Sequence, residues 1–143
     1  MLITEILKTK GDLVFTISPD EKVSDAVALL HQRRVGALVV LDAQDQVVGI
    51  FSERDVVRSV AADGAEGLGH PVAKVMTRDV VFANQTETVD SLLSRMTDRR
   101  IRHLPVCEAG RLVGLVSIGD LVKSKIAETV AEAQSLKQYI AAG

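Results

Sequence analysis

Two spacings of apolar residues alternate along the chain, and the alternation is written twice. Leu2, Ile3, Ile6 and Leu7 fall on one side of a helix, which predicts a short amphipathic helix over 2–8. A polar loop over 8–12 follows, and 13–17 is rich in β-formers and reads as a strand. Residues 18–21 read as a turn or a helix start, since Ser18 before Pro19, with Glu21 three residues on, fits a capping box. That helix runs to about Arg34 with Val23, Val27 and Leu30 inward. The apolar run 35–41 and the run 47–51 then read as a hairpin around a polar turn at 42–46. A second helix is predicted from Ser52 to about Ala62, and Gly64, Gly67, Gly69 and Pro71 mark a connection.

The second pass repeats the first: a helical turn at 72–76, a strand at 79–83, a helix at 88–99 and strands at 101–107 and 112–116. Val89, Leu92, Leu93 and Met96 are the inward positions of that helix. Gly49, Ser52 and Asp55 map onto Gly114, Ser117 and Asp120 at an offset of 65, and 33–40 maps onto 99–106 at 66. The one-residue difference falls in the hairpin turn, where an indel costs least. Each repeat is thus β-α-β-β-α in a mixed α/β (α+β) fold. The sequence divides into 1–70 as repeat one with its N-terminal helix, 71–128 as repeat two, and 129–143 as a helical extension. A half of about 60 residues is marginal alone, so the two are expected to complete one core together. The last helix starts near Ile118 and carries Val122, Ile126, Val130, Ala133, Leu136 and Ile140 as a stripe. Repeat one has no counterpart, so the stripe is expected to pack on the body or on another subunit.

Composition narrows the function. With 47% hydrophobic residues, no Trp, one Tyr and three Phe, the core must be aliphatic. The net charge of −2 gives no global field for nucleic acid or an anionic membrane. Cys107 is the only cysteine, so neither an intrachain disulfide nor a cysteine metal cluster can form, which suits a reducing compartment. Three scattered His residues offer no metal-ligand spacing. The start lacks the basic and apolar regions of a signal peptide, and no run has the length of a membrane span. A soluble, cytoplasmic protein is expected.

The repeated Ser-x-x-Asp has two readings. As a helix start it is a cap: Ser accepts a backbone N–H and an acidic residue complements the macrodipole. Duplication of the fold duplicates caps, so repetition alone does not discriminate. The alternative adds position. Both motifs leave a core strand and enter a helix, where free N–H groups suit phosphate and an Asp can accept hydrogen bonds from a ribose diol. Val35 and Ile101 could line an apolar slot for a base, and Arg102 and His103 could supply charge for a phosphate. Arg33 with Arg34, and Arg99 with Arg100, end helices, where cations suit the dipole.

The series Arg102-His103-Leu104-Pro105-Val106, then Leu112-Val113-Gly114-Leu115-Val116-Ser117-Ile118-Gly119-Asp120-Leu121, with its parallel in repeat one and the linker Val75-Met76-Thr77, resembles a tandem pair of cystathionine-β-synthase (CBS) domains, a Bateman module of the small stand-alone bacterial type. The resemblance covers about 3–125. It implies two repeats about a pseudo-twofold axis, with two clefts that bind AMP, ADP, ATP, NAD or S-adenosylmethionine. It implies that Ser117 and Asp120 serve one cleft, facing Lys10, Leu13, Val35 and Gly36. Ser52 and Asp55 serve the other, opposite Asp79, Val80, Ile101 and Arg102. Arg102 and His103 serve phosphates. Gly36 stands where some members carry a basic or hydroxyl side chain, which makes repeat one electrostatically poorer there. The family's modules commonly form homodimers through their helices, and regulate a partner protein that this sequence does not identify.

An enzyme is not expected. Inosine-monophosphate dehydrogenases contain such modules, but their catalytic barrel is far larger than this chain. No nucleophile–base arrangement or P-loop lysine motif is present. RNA or DNA binding through the basic cluster at 99–103 is the alternative. The acidic balance and the scarcity of aromatics for base stacking argue against it.

Overall fold

The computed structural model describes residues 1–10 and 14–142. The chain divides into two compact units, Val14–Val81 and Met1–Leu13 with Phe82–Gly143. The sequence repeats and the compact units are therefore different divisions. The helix that opens the chain belongs with the second repeat, and the helical turn that opens the second repeat belongs with the first.

In the unit Val14–Val81, β1 (Thr16–Ile17) runs parallel to β2 (Ala37–Leu41), which pairs antiparallel with β3 (Val47–Ser52). The register shifts between Val40 and Leu41. α2 (Val23–Arg33) buries Val23, Ala26 and Leu30 against Leu38, Val40 and Phe51, joined by Val72 and Met76 around α4 (Val72–Val75). α3 (Glu53–Asp63) leads into a 3₁₀ turn over Gly64–Gly69.

Of the two readings of 18–21, the structure takes the turn, and the helix starts later. α2 begins at Val23, and the residue before it, Lys22, supplies no side-chain cap. The Ser18 hydroxyl instead accepts the Asp20 N–H at 3.3 Å. The backbone is diverted because the carbonyls of Pro19 and Glu21 accept the N–H groups of Ala73 and Val72 at 2.9 and 2.7 Å. An extended segment that pairs with the start of α4 cannot at the same time be a first helical turn.

In the other unit, β4 (Ala83–Asn84) runs parallel to β5 (His103–Glu108), and β5 pairs antiparallel with β6 (Arg111–Ser117). α1 (Ile3–Lys10) buries Ile3, Ile6 and Leu7 and is fixed by its N–H groups: Ile3 donates to the Glu87 carbonyl and Thr4 to that of Gln85, both at 3.0 Å. α5 (Val89–Arg99) is capped by the Thr88 hydroxyl, which accepts the Ser91 N–H at 3.1 Å, and buries Val89, Leu92 and Met96. The strands expected over 13–17 and 79–83 pair over two residues each. At the second, Val80 turns back to bond the Arg78 carbonyl, which delays entry into the sheet. Leu13 lies outside the described residues.

Gly49 and Gly114, the first letters of the repeated motif, are glycines for the same reason. A Cβ at Gly49 would meet Met76 Sδ at 2.6 Å, and one at Gly114 would meet Leu7 Cδ2 at 2.6 Å. Each is where a helical element presses on a hairpin.

α6 (Ile118–Ala142) buries only Leu121. Ile126, Leu136 and Ile140 on the predicted stripe are 59%, 60% and 68% exposed, so this stripe is not packed on the body of its unit. Among the described residues, no helix is long and apolar enough to cross a membrane.

Candidate functional site

β6 ends at Ser117 and α6 begins at the next residue, so Asp120 stands in the first turn of the longest helix. The two side chains cap reciprocally. The Asp120 N–H donates to Ser117 Oγ at 3.1 Å, and the Ser117 N–H donates to Asp120 Oδ2 at 2.9 Å. The same carboxylate oxygen accepts the Lys10 ammonium at 2.5 Å, and that ammonium also donates to the Leu115 carbonyl at 2.8 Å. Lys10 is the last residue of α1. The carboxylate remains 25% exposed, and among the described residues its Oδ1 accepts no hydrogen bond. Burial works against its charge, but the Lys10 ammonium and the Ser117 N–H together hold its carboxyl below the usual carboxylate range.

His103 opens β5 directly opposite Ser117 in the ladder. Burial pushes its imidazole below the ordinary value. The Lys10 and Arg102 cations act in the same direction, and Asp120 only partly opposes them. At neutral pH the ring is therefore uncharged. Arg102 is exposed, and its carbonyl accepts the Ile118 N–H at 2.8 Å. Ile101 is half-buried just before it.

The other helix start is built from the same letters with a different outcome. Ser52 ends β3 and Asp55 stands in the first turn of α3. Asp55 Oδ2 accepts the Ser52 N–H at 2.8 Å and the Ser52 hydroxyl at 3.3 Å. Its Oδ1 accepts the Arg58 guanidinium and, at 3.3 Å, the Thr77 hydroxyl. The residue is 1% exposed. Thr77 is held by a two-way backbone bridge to Ile50, at 3.0 and 2.8 Å. Asp79 is exposed and Val80 half-buried in the segment that follows. Among the described residues neither is hydrogen-bonded to Ser52 or Asp55.

Of the residues named from the sequence, Lys10, Ser117 and Asp120 meet directly, with His103 beside them. Val35 and Gly36 lie in the unit Val14–Val81, both half-buried at the entry to β2, and the Gly36 carbonyl accepts the Glu53 N–H at 3.1 Å. Two partners of Asp55 were missed. Arg58 was legible, since a residue three positions on shares the helix face. Thr77 was not, because only the fold brings it across. Two surface grooves, of about 790 and 550 Å³, lie away from both motifs and contain neither aspartate. Among the described residues, no group of three His, Cys, Asp or Glu could hold a metal ion.

These features recur in known proteins. The model of the CBS domain matches the chain twice, at residues 11–62 and 72–126. The mitochondrial CBS domain-containing protein CBSX3 of Arabidopsis thaliana is 35% identical, covering 99% of this chain and 72% of its own length. The CBS-domain containing protein ATU1752 from Agrobacterium tumefaciens is 44% identical with a TM-score of 0.85, covering 87% of this chain and 92% of that one. The CBS domain protein PAE2072 from Pyrobaculum aerophilum, solved in complex with AMP, is 25% identical with a TM-score of 0.75, covering 84% of this chain and 89% of that one. The chain belongs to the CBS-domain family and carries two copies of the domain.

Proposed function

We propose that this chain is a regulatory module that binds an adenine nucleotide (AMP, ADP, ATP or NAD) at the start of α6. Asp120 accepts the ribose hydroxyls, Ser117 holds the helix start open to the ligand, and His103 and Arg102 face its phosphates. The observation that carries the reading is the Asp120 carboxylate, 25% exposed, with Oδ1 unengaged among the described residues. A carboxylate held ionised in the first turn of a helix suits the diol of a ribose. The AMP complex of a related structure supports the ligand class. Hydrogen bonds to a charged group contribute about 1.5–3 kcal/mol. Asp120→Ala is therefore expected to weaken AMP binding by about 10- to 100-fold in titration calorimetry. Its stability cost as a lost cap is about 1–2 kcal/mol. Unchanged affinity with a lowered Tm would reduce Asp120 to a cap.

The module acts as a homodimer in this reading and passes its ligand state to a partner protein or to its own assembly. Support comes from the exposed stripe of α6, which a monomer leaves in water. Sedimentation velocity is expected to give a dimer, and Leu136→Glu with Ile140→Glu a monomer. A wild-type monomer at tens of micromolar (a concentration at which a dimer of about 1 μM Kd is mostly formed) would remove this part of the proposal.

A further inference from the structure

We infer that Lys10 makes the Asp120 site selective for anionic adenosyl ligands, admitting a nucleoside 5′-phosphate in preference to an uncharged nucleoside or a cationic sulfonium. The inference rests on the nucleotide reading of the same site and adds the ligand's required charge.

The Lys10 ammonium has three N–H groups, and two are used, on Asp120 Oδ2 and the Leu115 carbonyl. Among the described residues, the charged groups that act on His103 are Lys10, Arg102 and Asp120, two cations against one carboxylate. The imidazole between them is uncharged at neutral pH. Asp120 is the anion that holds Lys10 in place.

A ribose diol that bonds Asp120 draws on the same negative charge that Lys10 now uses. An uncharged nucleoside gives nothing back, so the ammonium loses part of its neutralisation. A ligand with a phosphate returns an anion, and Lys10 can exchange one charged partner for another. A sulfonium adds a third cation where two already stand.

The Asp55 site is built otherwise. Its carboxylate is covered by Arg58 from its own helix and by the uncharged Thr77. There the element that follows α4 supplies a hydroxyl where the end of α1 supplies a cation.

The competing account makes Lys10 a strut that only ties α1 to β6 and α6. Titration calorimetry with AMP and adenosine on wild type, Lys10→Met and Lys10→Arg separates the two. Wild type is expected to favour AMP by about 10- to 100-fold, the value of one charge-assisted hydrogen bond. Lys10→Met is expected to collapse that ratio toward one, and Lys10→Arg to keep most of it. If Lys10→Met lowers both affinities and leaves the ratio intact, Lys10 is a strut and the inference is wrong. Equal wild-type affinity for AMP and adenosine also overturns it, while leaving the nucleotide reading standing. Wild type that binds neither ligand removes both. Should Lys10→Met fail to fold, Lys10→Gln takes its place, and a ratio left at the wild-type value overturns the inference, since Arg102 would then account for it.

Discussion

Two helix starts carry the same Gly, Ser and Asp at the same spacing, yet their carboxylates end in opposite states. Asp55 is sealed and accepts four hydrogen bonds, from Ser52 twice, Arg58 and Thr77. Among the described residues Asp120 accepts two, both on Oδ2, and it keeps a quarter of its side chain in solvent. The motif itself specifies a cap. What it becomes beyond a cap is decided by the residue that the preceding helical element delivers: Thr77 after α4 in one unit, Lys10 at the end of α1 in the other. Identical letters thus yield one buried carboxylate and one that keeps access to solvent.

The largest effect expected from this difference is in stability. Asp55→Ala removes a buried acceptor and leaves the Ser52 and Thr77 donors unmatched, while Arg58, whose side chain is 70% exposed, returns to water. Discounting that exposed partner, the loss is about 3 kcal/mol, roughly 6–12 °C in Tm. Asp120→Ala is expected to cost about 1 kcal/mol as a cap. AMP affinity should reverse the order, with Asp55→Ala unaffected at the α6 site. Equal melting losses and equal losses of AMP affinity in the two variants would erase the distinction.

The glycines give a second, smaller contrast. A Cβ at Gly49 meets Met76 Sδ at 2.6 Å and also the Thr77 carbonyl oxygen at 2.9 Å, and that backbone is tied into the bridge with Ile50. At Gly114 the neighbours are Leu7 Cδ2 at 2.6 Å and Cδ1 at 3.2 Å, the far end of a side chain that can turn. Gly49→Ala is expected to cost about 2–3 kcal/mol and Gly114→Ala about 1 kcal/mol, read by chemical denaturation. The reverse order would mean that α1 is held more rigidly than the segment after α4.

The regular elements were legible because apolar spacing sets them. Val23 and Leu30, and Val89, Leu92 and Met96, are buried at the helical interval, and both hairpins pair as the apolar runs required. The repeat was legible because it is written in residues. What escaped depended on contacts distant in sequence. Ser18 fits a cap in isolation, but Pro19 and Glu21 are drawn away by α4. The sealing of Asp55 needs Thr77, 22 positions away. The charge on His103 could not be read from a basic neighbourhood, since burial and two flanking cations act against it. The meeting of Lys10, Ser117 and Asp120 was expected from the family resemblance, but not the ion pair that occupies one oxygen of the carboxylate.

The smallest expected effect is in pH dependence, and it too separates the repeats. His103 corresponds to Ala37 in repeat one, where nothing can titrate. The folded chain holds the His103 imidazole below its ordinary value. As the pH falls through the ordinary imidazole range, the unfolded chain takes up a proton that the folded chain resists. Stability contributed by neutral His103 is therefore present at neutral pH. It is lost toward the depressed folded value, with a slope of at most about 1.4 kcal/mol per pH unit. Asp120 acts at lower pH with the same sign. Its carboxyl is depressed in the folded state, so its contribution is present above the usual carboxylate range and lost as the pH falls through the folded value. His103→Gln removes the first step and keeps the second. Denaturation midpoints for wild type and His103→Gln are thus expected to converge as the pH is lowered from 7 to 5, by less than about 1 kcal/mol, and then to fall in parallel. Midpoints that stay a fixed distance apart from pH 7 to 5 would show that the folded state does not resist protonating His103. The α6 site would then gain a third cation, beside Lys10 and Arg102, on mild acidification, and its difference from the sealed Asp55 site would widen.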